Sequence, residues 1–330
     1  MQSNIARPHD TNHRQTIKSY DKHLIEMKLH NILLPSLAIF ALASCSSDNE
    51  PDNTPTALKI TAGFGTNSRA IGSTWEADNI GVFAIAGNTK MQDKYKNISY
   101  STTSTSDVAE FTADAAPIYF EGTEDITFCA YAPYESGATW NNPQVNTRDQ
   151  VTREQQKRID FIYATGAVAS KNSPVLSFTG SAAFRHVMSR LVVKLKPGDG
   201  LTTPDVAIGG HYIDGLIHDG TFNLATGAVT PSGSPIEWSL VYSMRTTDMT
   251  NNVVTYDALV IPQTLTAPLK FKSVIAAQAY VNDTAMQPAL EPGKTYTYTI
   301  TIHKTGLKIE GCTVTDWEDG GSGSGEAVMQ

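Results

Sequence analysis

The 330-residue chain has only three cysteines, Cys45, Cys129 and Cys312, too few for the disulfide frameworks that hold together small secreted domains. It has no run near the ~20 apolar residues that a membrane-spanning helix needs. The stretch Ile32 to Leu42 comes nearest, and Pro35 interrupts it. Helical periodicity is almost missing. Arg148 to Arg158 is the one helix-like stretch, and with hardly any apolar face it predicts a short exposed helix or a loop. G-x-S-x-G, P-loop and H-E-x-x-H motifs are all lacking, so no catalytic residue, metal set or cofactor is expected. His211, Asp214, His218 and Asp219 gather in a Gly-rich stretch, but their spacing matches no ligand pattern and reads as a turn between strands. Glu124-Asp125 and Glu318-Asp319 read as solvated turn charges. His186, at the edge of an apolar strand, is expected to pack or to hydrogen-bond.

What is present begins with Leu42-Ala43-Ser44-Cys45, closing the apolar run behind Lys28. This is the form of a bacterial lipoprotein signal, in which a lipid-accepting Cys45 replaces the usual cleavage site. Several acyl chains, each methylene worth ~0.8 kcal/mol on burial, would tether the chain to the outer-membrane lipid. Translation is expected to start at Met27, with residues 1–26 an upstream extension and 27–44 the signal peptide. Residues 45–53, polar and acidic, read as a flexible tether and resemble the surface-export signal of Bacteroidetes lipoproteins. Removing residues 1–44 leaves 20 of 25 basic and 30 of 33 acidic side chains, a net charge of −10. A dispersed acidic surface argues against nucleic acid as a partner. Cys129 and Cys312 both lie in apolar, strand-like contexts, where two buried free thiols are expected rather than a bridge.

The mature chain reads as all-β, with about two domains' worth of residues. Leu58, Ile60, Ala62 and Phe64 alternate onto one face, as do Leu191, Val193 and Leu195 opposite Lys194 and Lys196. Leu269, Phe271 and Ile275 share a face. Tyr296, Tyr298, Ile300 and Ile302 oppose a ladder of threonines. Ile80–Ala86 and Ala258–Ile261 are apolar on both faces, as central strands can be. Lys196-Pro197-Gly198-Asp199-Gly200 is the best break. It gives β-sandwiches over 54–196 and 197–318, followed by a Gly/Ser-rich tail over 319–330.

Several pieces in order carry a resemblance. They are Ser68-Arg69-Ala70 with Trp75 and Asp78-Asn79-Ile80-Gly81-Val82-Phe83, then Asp160-Phe161-Ile162-Tyr163-Ala164, then Phe184-Arg185-His186-Val187-Met188-Ser189-Arg190-Leu191. Leu259-Val260-Ile261-Pro262-Gln263, Pro292-Gly293-Lys294-Thr295-Tyr296, Lys304-Thr305-Gly306-Leu307 and Asp316-Trp317 complete the set. Together they resemble the fimbrillin family, the subunits of Bacteroidetes type V pili. The resemblance implies two transthyretin-like Greek-key β-sandwiches in tandem, lipoprotein export to the cell surface, and adhesion through a polymer of self or heterologous subunits. It also implies an arginine-specific protease that removes the lipidated segment with the first strand, so that a neighbour's strand can fill the groove. Here Leu58, Ile60, Ala62 and Phe64 would be the displaced strand, and Arg69-Ala70 the cleavage site. The donor strand is either Ala327-Val328-Met329 or Leu307 to Trp317, whose phase shifts at Gly311 as at a β-bulge. Shaft, tip and anchor roles all remain open, as does any host or bacterial surface ligand. Thr284, in Asp283-Thr284-Ala285, has the form of a Bacteroidetes O-glycosylation acceptor. A rival reading is a monomeric surface lipoprotein that binds glycans on Trp75, Trp140, Trp238 and Trp317.

Overall fold

In the computed structural model the residues described are 55–65, 74–76, 78–140, 143–281 and 289–317. The alternating runs form strands throughout. The N-terminal half carries β1 (Lys59–Gly63), β2 (Asn79–Ala86), β3 (Ile98–Ser101), β4 (Val108–Ala113) and β5 (Ile126–Ala132). There follow β6 (Gln144–Asn146), β7 (Ile162–Ala169), β8 (Val175–Phe178) and β9 (Arg185–His186). The C-terminal half opens with β10 (Ser189–Pro197), β11 (Gly210–Leu216), β12 (Asp219–Asn223), β13 (Ala228–Ser232) and β14 (Ile236–Ser239). It continues with β15 (Met244–Asp248), β16 (Val253–Val260), β17 (Gln263–Thr264), β18 (Lys270–Ile275) and β19 (Gln278–Val281), then β20 (Ala289–Leu290), β21 (Lys294–His303) and β22 (Gly306–Asp316).

Eight strands of the N-terminal half bond in the order β8-β1-β4-β3-β2-β5-β7-β9. Their inward residues fill one core, among them Ile60, Ala62, Val82, Phe111, Phe128 and Phe178. In the C-terminal half a sheet β15-β16-β10-β21-β22 and a sheet β14-β11-β18-β19 enclose a second core, with Leu191, Val193, Leu195, Phe271, Tyr298 and Ile300. The alternations at Leu191, Leu269 and Tyr296 therefore face inward as the period of two requires.

A third apolar cluster explains the runs that are apolar on both faces. It holds Phe83, Cys129, Tyr131, Phe161, Phe222, Leu259, Ile261 and Trp317. On β2, Val82 and Ala84 enter the first core while Phe83 enters this one. At the end of β16, Ala258 and Val260 enter the second core, and Leu259 and Ile261 the third. Such strands lack a polar face because neither side meets water. The halves are also hydrogen-bonded, since β6 pairs with β12 in the sheet β13-β12-β6. All described residues fall in one compact unit.

The expected break after Lys196 needs correction. β10 pairs antiparallel with β16 and parallel with β21, so the chain changes sheets between His186 and Ser189. Pro197-Gly198 does end the strand, but a local terminator carries no information about which sheet that strand has joined.

Three short helices, α1 (Thr89–Lys94), α2 (Arg153–Ile159) and α3 (Thr203–Ile208), join the strands. α2 needs little apolar face because polar contacts fix it. Thr152 and Gln155 form a capping box, and buried Gln156 donates to Asp257 O at 3.0 Å. Buried Gln150 exchanges two hydrogen bonds with the Leu259 backbone, at 2.8 and 2.6 Å. α1 and α3, capped by Asn88 and Thr202, have no counterpart in the periodicity because one and a half turns are too short to show one.

Candidate functional site

The first strand lies inside its sheet, between β4 and β8. Ile60, Thr61, Ala62 and Gly63 oppose Phe111, Glu110, Ala109 and Val108 antiparallel. On the other side Lys59 to Ala62 run parallel to Val175–Phe178. Bonds just outside the strand extend the pairing, with Leu58 N–H donating to Ile118 O at 2.8 Å and Gly65 N–H to Phe184 O at 3.1 Å. Leu58, Ile60 and Ala62 are buried and Phe64 packs against the same core, so the alternation predicted for this run is the one observed. A cleft of about 600 Å³ opens beside β1 and β4, reaching Leu58, Ile60, Tyr100, Phe111 and Pro117.

Trp75 closes the other end of this core. Its ring lies 4.7 Å from Phe64, 4.8 Å from Phe111 and 5.3 Å from Phe184, and its indole N–H donates to Ala62 O at 3.0 Å. Its backbone is tied independently of β1, through Trp75 N–H to Ser106 O at 3.1 Å. Glu76 pairs with Arg153 at 2.6 Å and with Lys157, binding this segment to α2. Asp78 accepts from Glu76 N–H at 2.8 Å, and burial raises its carboxyl pKa above the ordinary value. The chain after the 66–73 segment is thus anchored to the body by contacts that β1 does not make.

β22 is built differently. It is the outermost strand of its sheet and bonds only to β21. Its register shifts where Thr299 opposes Gly311 and Ile300 opposes Ile309, which is the bulge foreseen at Gly311. Leu307, Ile309, Cys312 and Val314 are half-buried against the second core. Trp317, just beyond, is wholly buried and stacks on His186 at 4.3 Å.

Cys45, with Leu42, Ala43 and Ser44, lies outside the described residues, as do Arg69, Ala70, Thr284 and the Ala327-Val328-Met329 segment. Cys129 is buried and Cys312 half-buried, and the two are not joined by a disulfide. Burial pushes the Cys129 pKa up to about 12. Among the described residues no group of His, Cys, Asp and Glu could hold a metal ion. His211 sits on β11, bonded to Val206 O at 2.8 Å and Ser273 Oγ at 3.0 Å. His218, in the link from β11 to β12, is 2.8 Å from Thr147 Oγ1, while Asp219 pairs with Arg148 at 2.5 Å. His186 bonds Asp160 at 2.7 Å. The four tryptophans form no common platform: Trp75, Trp238 and Trp317 are buried, and half-buried Trp140 packs on Phe83 at 4.4 Å.

Sequence reasoning missed β8 as the second neighbour of the first strand. Its signal was the short alternation Val175-Leu176-Ser177-Phe178, with Leu176 and Phe178 buried. It also missed the bond from Trp75 to Ala62 O, which no periodicity encodes.

A family model described as fimbrillin-like matches residues 68–317. A Bacteroides uniformis protein described as a candidate fimbrium subunit, Fim1C, is 30% identical over 318 residues, covering 90% of this chain and 98% of its own. The crystal structure of a candidate cell adhesion protein from Bacteroides uniformis aligns with a TM-score of 0.61 at 26% identity, over 80% of this chain and 99% of that one. One from Bacteroides ovatus aligns at 0.64 and 22% identity, over 80% and 98%, a likeness of fold.

Proposed function

The chain belongs to the fimbrillin-like family, and from that membership we infer that it is a pilus subunit serving adhesion at the cell surface, with a structural role rather than a catalytic one. It is exported as a lipoprotein through Cys45, and it joins other subunits by strand exchange once an arginine-specific protease has cut between Arg69 and Ala70. The placement of β1 supports this reading most directly. That strand fills a slot between two others, so its loss leaves two rows of backbone donors and acceptors and an apolar trough, which a strand from a neighbour can satisfy together. The contacts of Trp75 and Glu76 would keep the new N-terminal segment in place after the cut.

Intact mass and N-terminal sequencing of the protein taken from its native cell surface test this. An N-terminus at Ala70, with a ladder of species on unheated gels, is the expected result. An uncut monomer lipidated at Cys45 would overturn assembly by loss of the first strand.

A further inference from the structure

The trough that β1 fills is not equally receptive to every apolar strand. Leu58 and Ile60 occupy large buried positions, whereas Ala62 is fully enclosed, with Ala109 opposite on β4 and Phe178 opposite on β8. Next to it, a Cβ added at Gly63 would lie 2.9 Å from Val108 Cγ2 and 3.2 Å from Asp107 O. Trp75 supplies a polar mark at the same point, since its buried indole N–H has Ala62 O as acceptor at 3.0 Å. Trp75 follows the 66–73 segment and stays with the body when that segment is cut, while its acceptor departs with β1.

We propose that Trp75 and the enclosed Ala62 and Gly63 positions gauge the incoming strand, admitting a strand of a different subunit with the pattern large-x-large-x-small-Gly and disfavouring this chain's own last described strand. This rests on the strand-exchange reading above. A one-residue slip turns every side chain to the other face and swings the carbonyl away from the indole. A two-residue slip drives a large side chain into the Ala62 position, which close packing resists.

The chain carries its own near-match. Leu-Lys-Ile occurs at 58–60 and again at 307–309. Aligned on that tripeptide, Gly311 falls in the place of Ala62 and meets the small-residue requirement. Cys312 falls in the place of Gly63 and does not, and in its own sheet this segment is interrupted by the bulge at Glu310 and Gly311. Through this segment a second copy therefore offers five of the six positions and fails the sixth.

A protease site engineered into residues 66–73 of the full-length chain allows nicking after folding, and anisotropy then follows exchange of labelled peptides into the nicked protein. The native 56–64 peptide should enter. Ala62→Leu in that peptide should weaken entry by about 30-fold or more. The 305–313 peptide should bind about tenfold more weakly than the native one, and Cys312→Gly should recover that loss. Trp75→Phe in the protein should cost the native peptide about tenfold. Equal binding of the native and Ala62→Leu peptides, or of the native and unaltered 305–313 peptides, overturns the gauge. Exclusion of the native peptide as well removes the strand-exchange reading beneath it.

Discussion

The first and last described strands are both amphipathic segments rich in alternation, yet the molecule uses them in opposite ways. β1 has five residues and two neighbours; β22 has eleven residues and one. The shorter strand carries the greater burden, because its inward residues are wholly inside the first core and its backbone is paired on both edges. The longer strand is half-buried along its length, and its bulge interrupts what would otherwise be a flat exposed edge, a common protection against unwanted pairing. Length in sequence is thus a poor guide to what a strand contributes; the number of sides on which it is covered decides it.

The sharpest way to test that contrast is to remove the closing residue of the β1 core. Trp75→Ala should destabilise the protein by ~4 kcal/mol, the usual range for losing a buried aromatic, with the loss of the bond to Ala62 O included; denaturant melts measure it. Matched truncations come next. Ile60→Ala should cost ~3 kcal/mol and Ile309→Ala about 1 kcal/mol, because the second side chain has less area to lose. Equal costs in the same melts would break the distinction between a doubly covered and an edge strand.

Acid extends the comparison to the two halves. Buried His218 has its pKa lowered to about 4, chiefly by desolvation, and buried His211 is lowered for the same reason; both belong to the C-terminal half. A folded pKa below the unfolded value gives stability that is full above pH ~6.5 and is lost as pH falls toward 4. His218 alone should remove about 2 kcal/mol between pH 6.5 and 5, and His218→Gln should flatten that dependence in melts run across the range. The smallest effect is a difference in reactivity. With Cys45 replaced by Ser, a thiol reagent should modify Cys312 in the native protein, and Cys129 only on unfolding, because the latter is buried with its thiolate disfavoured. Simultaneous labelling would place Cys129 in a region that opens as readily as the edge.

Much of the architecture was legible because alternation is a local property. The faces of Leu191–Lys196, Leu269–Ile275 and Lys294–His303, the bulge at Gly311 and the burial of Leu58, Ile60 and Ala62 all follow from side chains that point up and down in turn. The order of motifs likewise pointed to the family. Less legible was the sheet each strand joins. β10 looked like the end of one half and is the middle of the other's sheet. Two-sided apolar runs such as Ile80–Ala86 announced burial without saying that their second face meets the other half of the molecule.

By itself, then, the sequence determined the all-β character and the inward faces of β1, β10, β18 and β21, since each depends on neighbours within a few positions. Only the tertiary structure decided that β1 sits between β4 and β8, that Trp75 reaches back thirteen residues to the Ala62 carbonyl, and that a third core joins the halves. Those facts depend on which distant segments meet, and partner choice is set by the whole chain's packing rather than by any local pattern.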